Sequence, residues 1–242
     1  MTMEHSIDEQ KRFYDQRWRG HRFANSLKLA RTIAILEALA ETEITQPRVL
    51  ELGSGTGWLC AILAQFGPTM GVELSPEAVE AAKARYPFAD FAQADIARWT
   101  PDLEPFDVVV SHEVIEHLED QLQHLTLAKR LLLPGGFLIL TTPNADTVRA
   151  AESKAAQKPL SDQLIENILT RPELLALVRK AGFRVVRDTT LILGHGSRGM
   201  RTIANSPKVR GVLRQLGVLS AFDRRMLAAG AGLHTLVVAQ RD

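Results

Sequence analysis

The sequence is poor in cysteine, in aromatic residues, in long apolar runs and in net charge. The lone Cys60 cannot form an internal disulfide, so a disulfide-stapled scaffold is excluded. No apolar run approaches the roughly 20 residues that cross a bilayer, and the N-terminal stretch carries no secretory signal pattern. A formal net charge of +1 calls for no polyanionic partner. These absences predict a cytoplasmic protein without a membrane span.

What is abundant is hydrophobic residues, at 45% of 242 positions, enough for one well-buried domain. Segments typical of buried strands alternate with helical patterns. The seven predicted strands are residues 48–52, 69–74, 91–95, 106–111, 137–142, 183–190 and 233–240. This alternation predicts an α/β fold, a Rossmann-like seven-stranded and mainly parallel sheet with helices on both faces. One helix is expected from about Val114 to Leu132, and another in residues 172–182.

A single domain is expected to divide into four parts. Residues 1–45 form a helical N-terminal cap whose aromatic residues either cover a pocket or simply pack on the sheet. Residues 46–190 form the ligand-binding core, and residues 191–232 form a basic insertion that could be a substrate lid. Residues 233–242 form the last strand. The insertion contains seven Lys or Arg between Arg198 and Arg225 against the single acid Asp223, which suits an anionic group on a substrate.

A glycine-rich loop follows the first strand, in VLELGSGTGW (residues 49–58). Gly53, Gly55 and Gly57 let the backbone approach a ligand closely. The spacing Gly-x-Gly-x-Gly differs from the Gly-x-Gly-x-x-Gly of dinucleotide sites, and Glu51 would sit badly beside a pyrophosphate. The loop therefore indicates a nucleoside-like ligand without a phosphate.

Two acids extend this interpretation to the neighbouring strands. Glu73 is expected at the end of the second strand, where a carboxylate can accept hydrogen bonds from both hydroxyls of a ribose. Asp95 is expected at the end of the third strand, where a carboxylate can meet the amine of an adenine. A ribose end and a base end are thus predicted at one edge of the sheet.

These stretches resemble the class I S-adenosylmethionine-dependent methyltransferases over residues 48–144, with five motifs in order: VLELGSGTGW, GVELS, AQADI, FDVVVSHEVIEHLED and LLLPGGFLILTTPN. The resemblance implies a last strand antiparallel to the others and S-adenosylmethionine as cofactor. It also implies roles for particular side chains. The implied cofactor-binding residues are Glu51, Gly53, Ser54, Gly55, Gly57, Trp58, Glu73, Leu74, Asp95, Ile96, Ser111 and His112, the last two beside the sulfonium.

The chemistry of the acceptor is expected in SHEVIEHLED, after the fourth strand. If a helix has begun by Glu113, then Glu113, Glu116 and His117 share one face at i, i+3 and i+4. That face could hold a general base, with His117 the first candidate and Glu113 and His112 beside it. It could instead bind a divalent metal through Glu113, Glu116 and His117, a possibility that is not favoured over a face without a special role.

The same stretch resembles ubiquinone-pathway O-methyltransferases and small-RNA 2′-O-methyltransferases, both of which carry an E-x-x-E-H metal cluster. The RNA enzymes need a further histidine after the fifth strand, and residues 144–182 contain none, so nucleic acid is not favoured. Residues 157–183 and the pieces after them loosely resemble bacterial methyltransferases of sugar, polysaccharide or secondary-metabolite pathways.

The expected function is methylation of a small molecule, anionic or sugar-like, most readily at oxygen. Three alternatives stay open. They are a metal-dependent O-methyltransferase of quinone biosynthesis, an N-methyltransferase, and a protein that binds S-adenosylmethionine without transferring its methyl.

Overall fold

A computed structural model describes residues 7–18, 25–147, 167–193 and 206–242. The strands are β1 Val49–Leu52, β2 Thr69–Glu73, β3 Asp90–Gln93, β4 Phe106–His112, β5 Leu132–Pro143, β6 Phe183–Leu193 and β7 Gly232–Arg241. The described helices are α1 Ile7–Trp18, α2 Ser26–Ala40, α3 Trp58–Leu63, α4 Pro76–Arg85, α5 Gln121–Leu131, α6 Arg171–Lys180, α7 Pro207–Gln215 and α8 Leu219–Ala228. None of these helices is long and apolar enough to cross a membrane.

The seven strands form one sheet in the order β3-β2-β1-β4-β5-β7-β6. Strands β1 to β5 are parallel to one another, whereas β7 runs antiparallel to both β5 and β6. The mainly parallel sheet and the antiparallel last strand are both confirmed. In the register, Leu52 pairs with Val72 on one side and Ser111 on the other, so the loops after β1, β2 and β4 meet at one edge.

The core lies on both faces of the sheet because successive strand residues point to opposite sides. Val109 belongs to the cluster covered by α5 and α6, whereas Val108 and Val110 belong to the cluster covered by α2 and α3. Helix starts follow the sequence signals. Ser75 caps α4 by accepting from the backbone N–H of Ala78, and Thr170 forms a capping box with Glu173 at α6.

The single helix expected from Val114 to Leu132 is wrong. Glu113 has a φ of +58°, a short 3-10 turn spans Ile115–His117, and the chain is extended at Leu118. Helix α5 begins only at Gln121, where Asp120 accepts from the backbone N–H of Gln123. The strand ends also differ slightly, because β3 stops at Gln93 and leaves Asp95 in the turn beyond it.

Competing hydrogen bonds interrupt that helix. The backbone N–H of Asn167 donates to the Glu116 carbonyl at 2.7 Å, and its side-chain amide donates to the Leu118 carbonyl at 3.1 Å. Gln121 in turn donates to the Ile115 and Asn167 carbonyls. A helix through this stretch would need those carbonyls for its own ladder. The tertiary contact with the segment before α6 therefore overrides the local helical pattern.

Candidate active site

The glycine loop after β1 adopts a conformation that favours glycine. Gly53, Gly55 and Gly57 have φ values of +76°, +53° and +79°. A Cβ at Gly53 would lie 2.4 Å from Cγ2 of Val114, and one at Gly57 would lie 2.7 Å from Cζ of Phe91. The positive φ angles and the close contacts both disfavour a side chain at Gly53 and Gly57. The backbone conformation of this loop therefore depends on glycine.

The Glu73 carboxylate is fixed by backbone donors. One oxygen accepts from the N–H of Gly55 at 2.8 Å, and the other accepts from Leu74 at 2.9 Å and Ser75 at 3.0 Å. Burial raises the pKa of Glu73, an effect that these three N–H groups oppose. The carboxylate thus joins the glycine loop to the end of β2 and holds a fixed orientation.

A cavity of about 720 Å³ opens at this edge of the sheet. Seven of the predicted site residues line it: Gly53, Glu73, Leu74, Asp95, Ile96, Glu113 and His117. Eight others are not among its lining residues: Glu51, Ser54, Gly55, Gly57, Trp58, Ser111, His112 and Glu116. Val114 and Leu118 also line it and were not predicted as site residues. A volume of this size suits a nucleoside-sized ligand.

Helix α1 contributes Ile7, Gln10, Tyr14 and Trp18 to the cavity wall. Asp15 from the same helix hydrogen-bonds the hydroxyl of Ser75. Burial, with the nearby charge of Glu73, raises the pKa of Tyr14 to about 12, so its hydroxyl stays protonated. The sequence left open whether this segment covers a pocket or packs on the sheet. Tyr14 and Trp18 line the cavity, whereas Phe23 lies outside the described residues.

Glu51 lies beneath the loop and is 2% exposed. Burial raises its pKa to about 8, against the opposing effects of Lys28 and of the backbone N–H of Cys60. One carboxylate oxygen, Oε2, has no hydrogen-bond partner among the described residues. Lys28 itself lies over the Trp58 ring, 5.1 Å from its centroid. This buried oxygen is therefore available to a cationic or hydrogen-bonding group of a ligand.

Ser111 and His112 have partners within the protein core. The hydroxyl of Ser111 lies 2.9 Å from Nε2 of His124 in α5, on the buried side of the sheet. Nδ1 of His112 lies 2.7 Å from the hydroxyl of Thr141. Burial lowers the pKa of both His112 and His124 to about 4, so both imidazoles are neutral at pH 7.

The three residues expected on one helix face have separate environments. Oε2 of Glu113 lies 3.1 Å from Nε2 of His234 on β7, whereas Oε2 of Glu116 accepts from the Thr142 hydroxyl at 2.9 Å. Nε2 of His117 lies 3.7 Å from Oε1 of Glu116. Because Glu113 precedes the 3-10 turn with a positive φ, the helical i, i+3, i+4 geometry is absent. In the described ranges, no group of three His, Cys, Asp or Glu side chains could hold a metal ion.

The pKa values of the two glutamates also shift in opposite directions. Burial and the nearby charge of Glu113 raise the pKa of Glu116 well above its usual value. Burial raises the pKa of Glu113 as well, but the hydrogen bond and charge of His234, with Arg31, outweigh it and lower that pKa. The two carboxyl groups of the E-x-x-E-H pattern therefore lie in different electrostatic environments.

The structure adds a polar cluster that the sequence did not indicate, formed by Arg31 of α2, Glu113 and His234. Nη1 of Arg31 lies 3.1 Å from Nε2 of His234 and 3.9 Å from Oε2 of Glu113. The three side chains are only 12–19% exposed. They come from three distant parts of the chain, so no local spacing could have revealed the cluster.

The charged residues expected to meet an anionic substrate are only partly described. Arg210 makes two hydrogen bonds of 2.8 Å to Asp223, which joins α7 to α8. Lys208 and Arg214 are exposed on α7. His195, Arg198 and Arg201 lie outside the described residues.

Comparisons with known proteins agree with this fold. The model of a family described as a methyltransferase domain matches residues 18–188. A probable S-adenosylmethionine-dependent methyltransferase of Mycolicibacterium smegmatis is 34% identical over 150 residues, which cover 62% of this chain and 56% of that protein. A ubiquinone biosynthesis O-methyltransferase of Cereibacter sphaeroides is 33% identical over 147 residues, 56% of this chain and 59% of the relative.

The match thus spans a little over half the length of these curated relatives. Among solved structures, the N-methyltransferase NodS of Bradyrhizobium japonicum in complex with S-adenosyl-L-homocysteine superposes with a TM-score of 0.64 at 15% identity. The superposition covers 96% of this chain and 98% of NodS. At that identity the likeness establishes the fold, which is that of the class I methyltransferases.

Proposed function

The chain belongs to the methyltransferase domain family, and on that premise we propose that it is a cytoplasmic S-adenosylmethionine-dependent methyltransferase. Its acceptor is a small molecule, such as a sugar, a polysaccharide precursor or a secondary metabolite, and the methyl goes to oxygen. The observation that carries the proposal is the Glu73 carboxylate at the cavity wall, held by three backbone N–H groups beside the glycine loop.

The residues present fit this cofactor. Glu73 offers an oriented carboxylate to ribose hydroxyls, while Leu74, Asp95 and Ile96 line the cavity where an adenine would lie. The unpartnered Oε2 of Glu51 would be satisfied by the cationic amino group of the methionine part. When bound, S-adenosylmethionine supplies an electrophilic methyl group on a positively charged sulfur. The remaining chemistry, binding the acceptor and removing its proton, falls to the protein.

His117 is the proposed base on the acceptor side. It lines the cavity, and its Nε2 lies 3.7 Å from Oε1 of Glu116. A neutral imidazole there can accept the proton of the hydroxyl that receives the methyl. Glu113, which also lines the cavity, would position the acceptor at the end of β4. The neutral His112 next to it is hydrogen-bonded to Thr141 and would act only indirectly.

A quinone-biosynthesis O-methyltransferase is the second candidate, supported by the 33% identity to the ubiquinone-pathway relative. Because Glu113, Glu116 and His117 are not gathered as a ligand set, this candidate is proposed without a metal at those residues. Both candidates place the methyl on oxygen, and they differ in the acceptor alone.

The test is transfer of a radiolabelled methyl from S-adenosylmethionine to a panel of sugars, hydroxy acids, catechols and amines. Transfer to a hydroxyl acceptor supports the proposal, and the preferred acceptor separates the two candidates. Transfer to amines alone would contradict O-methylation. Tight cofactor binding without any transfer would instead identify a non-catalytic binding protein.

A further inference from the structure

Helices α7 and α8 form a hairpin that covers little of the core. Neither helix has a buried side chain. The hairpin is held together by the Arg210–Asp223 pair and is attached to the sheet at its end, where the Thr190 hydroxyl donates to the Leu227 carbonyl at 2.6 Å. The hairpin is therefore anchored to the sheet at one end of β6, while most of its surface stays exposed.

The outer surface of the hairpin is amphipathic. Lys208, Val212 and Leu216 follow one another at i, i+4 and i+8, so they lie in one row along α7. Val212 is 55% exposed, Leu216 is 68% exposed, and Val218, just beyond, is 44% exposed. Val209 and Leu213 extend the same apolar side of α7 and are half-buried. Three large apolar side chains, within seven residues of one another in the sequence, are thus open to solvent, a feature of interaction surfaces.

The charge of the hairpin has one sign. Residues 206–230 contain five basic side chains and one acid, a net charge of +4, while the whole chain has only +1. Asp223 is engaged by Arg210. Lys208, Arg214, Arg224 and Arg225 are exposed, and no acid in the described ranges pairs with them. The apolar row is therefore accompanied by positive charge that has no partner within the described protein.

The hairpin is also attached near the carboxyl-terminal ends of the parallel strands, where the cavity opens. β6 is parallel to β5, because both are antiparallel to β7, so β6 ends at the same edge as β1, β2 and β4. In the strand order, β6 is three positions from β4. At about 4.8 Å between neighbouring strands, the end of β6 lies on the order of 14 Å from the end of β4. A surface that held the hairpin would therefore also lie close to the mouth of the active site.

We propose that the α7–α8 hairpin docks this protein on an anionic membrane surface, with Val212, Leu216 and Val218 at the level of the lipid headgroups and the basic side chains on the headgroup phosphates. Exposed apolar residues combined with lysine and arginine are the pattern of helices that lie in a membrane interface. Anionic lipid supplies the negative charge that the hairpin lacks. Docking there would bring the cavity to acceptors carried by lipid. The docking itself does not depend on the proposed enzymatic activity.

The test is co-sedimentation of the full chain with vesicles, either of phosphatidylcholine alone or of phosphatidylcholine and phosphatidylglycerol in about equal parts. The protein is expected to partition at least about tenfold more strongly into the anionic vesicles, and to be released as salt is raised. The double variant Val212→Ser/Leu216→Ser and the double variant Lys208→Glu/Arg214→Glu should each lower this partitioning about tenfold or more.

The matched control is Lys83→Glu/Phe88→Ser, which changes one charge and one large exposed apolar residue on and after α4, at the opposite end of the sheet. The control should sediment like the wild type. Thermal melting of each variant, measured without cofactor, separates loss of docking from loss of folding. No sedimentation of a folded wild type, or hairpin variants that sediment like the wild type, would overturn the proposal. Binding of the hairpin to a single-stranded oligonucleotide in place of vesicles would overturn it too.

Discussion

The cofactor half of the site, around β1 to β3, differs from the acceptor half, around β4 to β7, in what holds the functional groups in place. In the cofactor half, the backbone does so: Gly53 and Gly57 have positive φ, and Glu73 is held by three N–H groups. In the acceptor half, side chains from distant elements hold one another, as Glu113 does with His234 and Arg31. The positions of groups held by the backbone are determined by the local sequence. The positions of the side chains in the cluster are determined by the tertiary fold.

The largest expected effect is in the acceptor half. His117→Ala should lower turnover of a hydroxyl acceptor by about 100- to 1000-fold, because a general base contributes about that much. Affinity for S-adenosylhomocysteine should stay within about twofold of the wild type, since the proposed role concerns the acceptor. Single-turnover kinetics and calorimetry measure the two quantities. If His117→Ala instead lost cofactor affinity at unchanged turnover, the residue would belong to the cofactor half.

The next largest effect is on cofactor affinity, and two isosteric substitutions compare the two halves of the site. Glu73→Gln should weaken S-adenosylhomocysteine binding by about 2 kcal/mol, roughly 30-fold, because a charged acceptor of hydrogen bonds is lost. Glu116→Gln is the matched control in the acceptor half. Glu116 is buried and does not line the cavity, so an amide of the same shape should leave affinity nearly unchanged. Equal losses in both variants would contradict the assignment of the ribose contact to Glu73.

The smallest effect concerns stability and its dependence on pH. The pKa of Glu51 is raised from its model-peptide value of 4.5 to about 8 in the folded protein. Between those pH values the unfolded chain ionises this group and the native protein does not, so native stability falls as pH rises through that window. Glu51→Gln should therefore raise the melting temperature at pH 8 by several degrees and leave it almost unchanged at pH 4.5.

Melting curves of wild type and Glu51→Gln at the two pH values provide this measurement. Lys28→Met is a useful companion, because the Lys28 charge opposes the rise in the Glu51 pKa. Removing that charge should enlarge the destabilisation of the wild-type carboxylate at pH 8. A stabilisation by Glu51→Gln that is the same at both pH values would show that the carboxyl group does not titrate in this window.

The same contrast explains what could be predicted from the sequence. The strands, the N-cap at Ser75 and the positions of Gly53 and Glu73 follow from local patterns that the fold preserves. The antiparallel direction of β7 is implied only by the family resemblance, because no local pattern encodes it. The helix start after β4 could not be read from apolar spacing, because the Asn167 amides take the carbonyls of Glu116 and Leu118. One local signal did exist, namely Asp120 followed three residues later by Gln123, a capping pattern that marks the start of α5.

Two further residues show the limits of local reasoning. Ser111 stands at the expected place in the sequence, but its hydroxyl meets His124 on the buried side of the sheet and does not line the cavity. His234 lies in β7 with only the alternation of a strand around it, and its contact with Glu113 depends on how β7 joins the sheet. A pairing of residues so far apart requires the three-dimensional fold.

The central claim is that the cavity binds a nucleoside with a cationic amino-acid tail and no phosphate. Calorimetric titration of S-adenosylhomocysteine into the full chain, in parallel with NAD, tests it most directly. The account predicts one site of about micromolar affinity for S-adenosylhomocysteine, a 30-fold loss in Glu73→Gln, and no binding of NAD. A sample that melts cooperatively, as a folded protein does, yet binds NAD or fails to bind S-adenosylhomocysteine would contradict it.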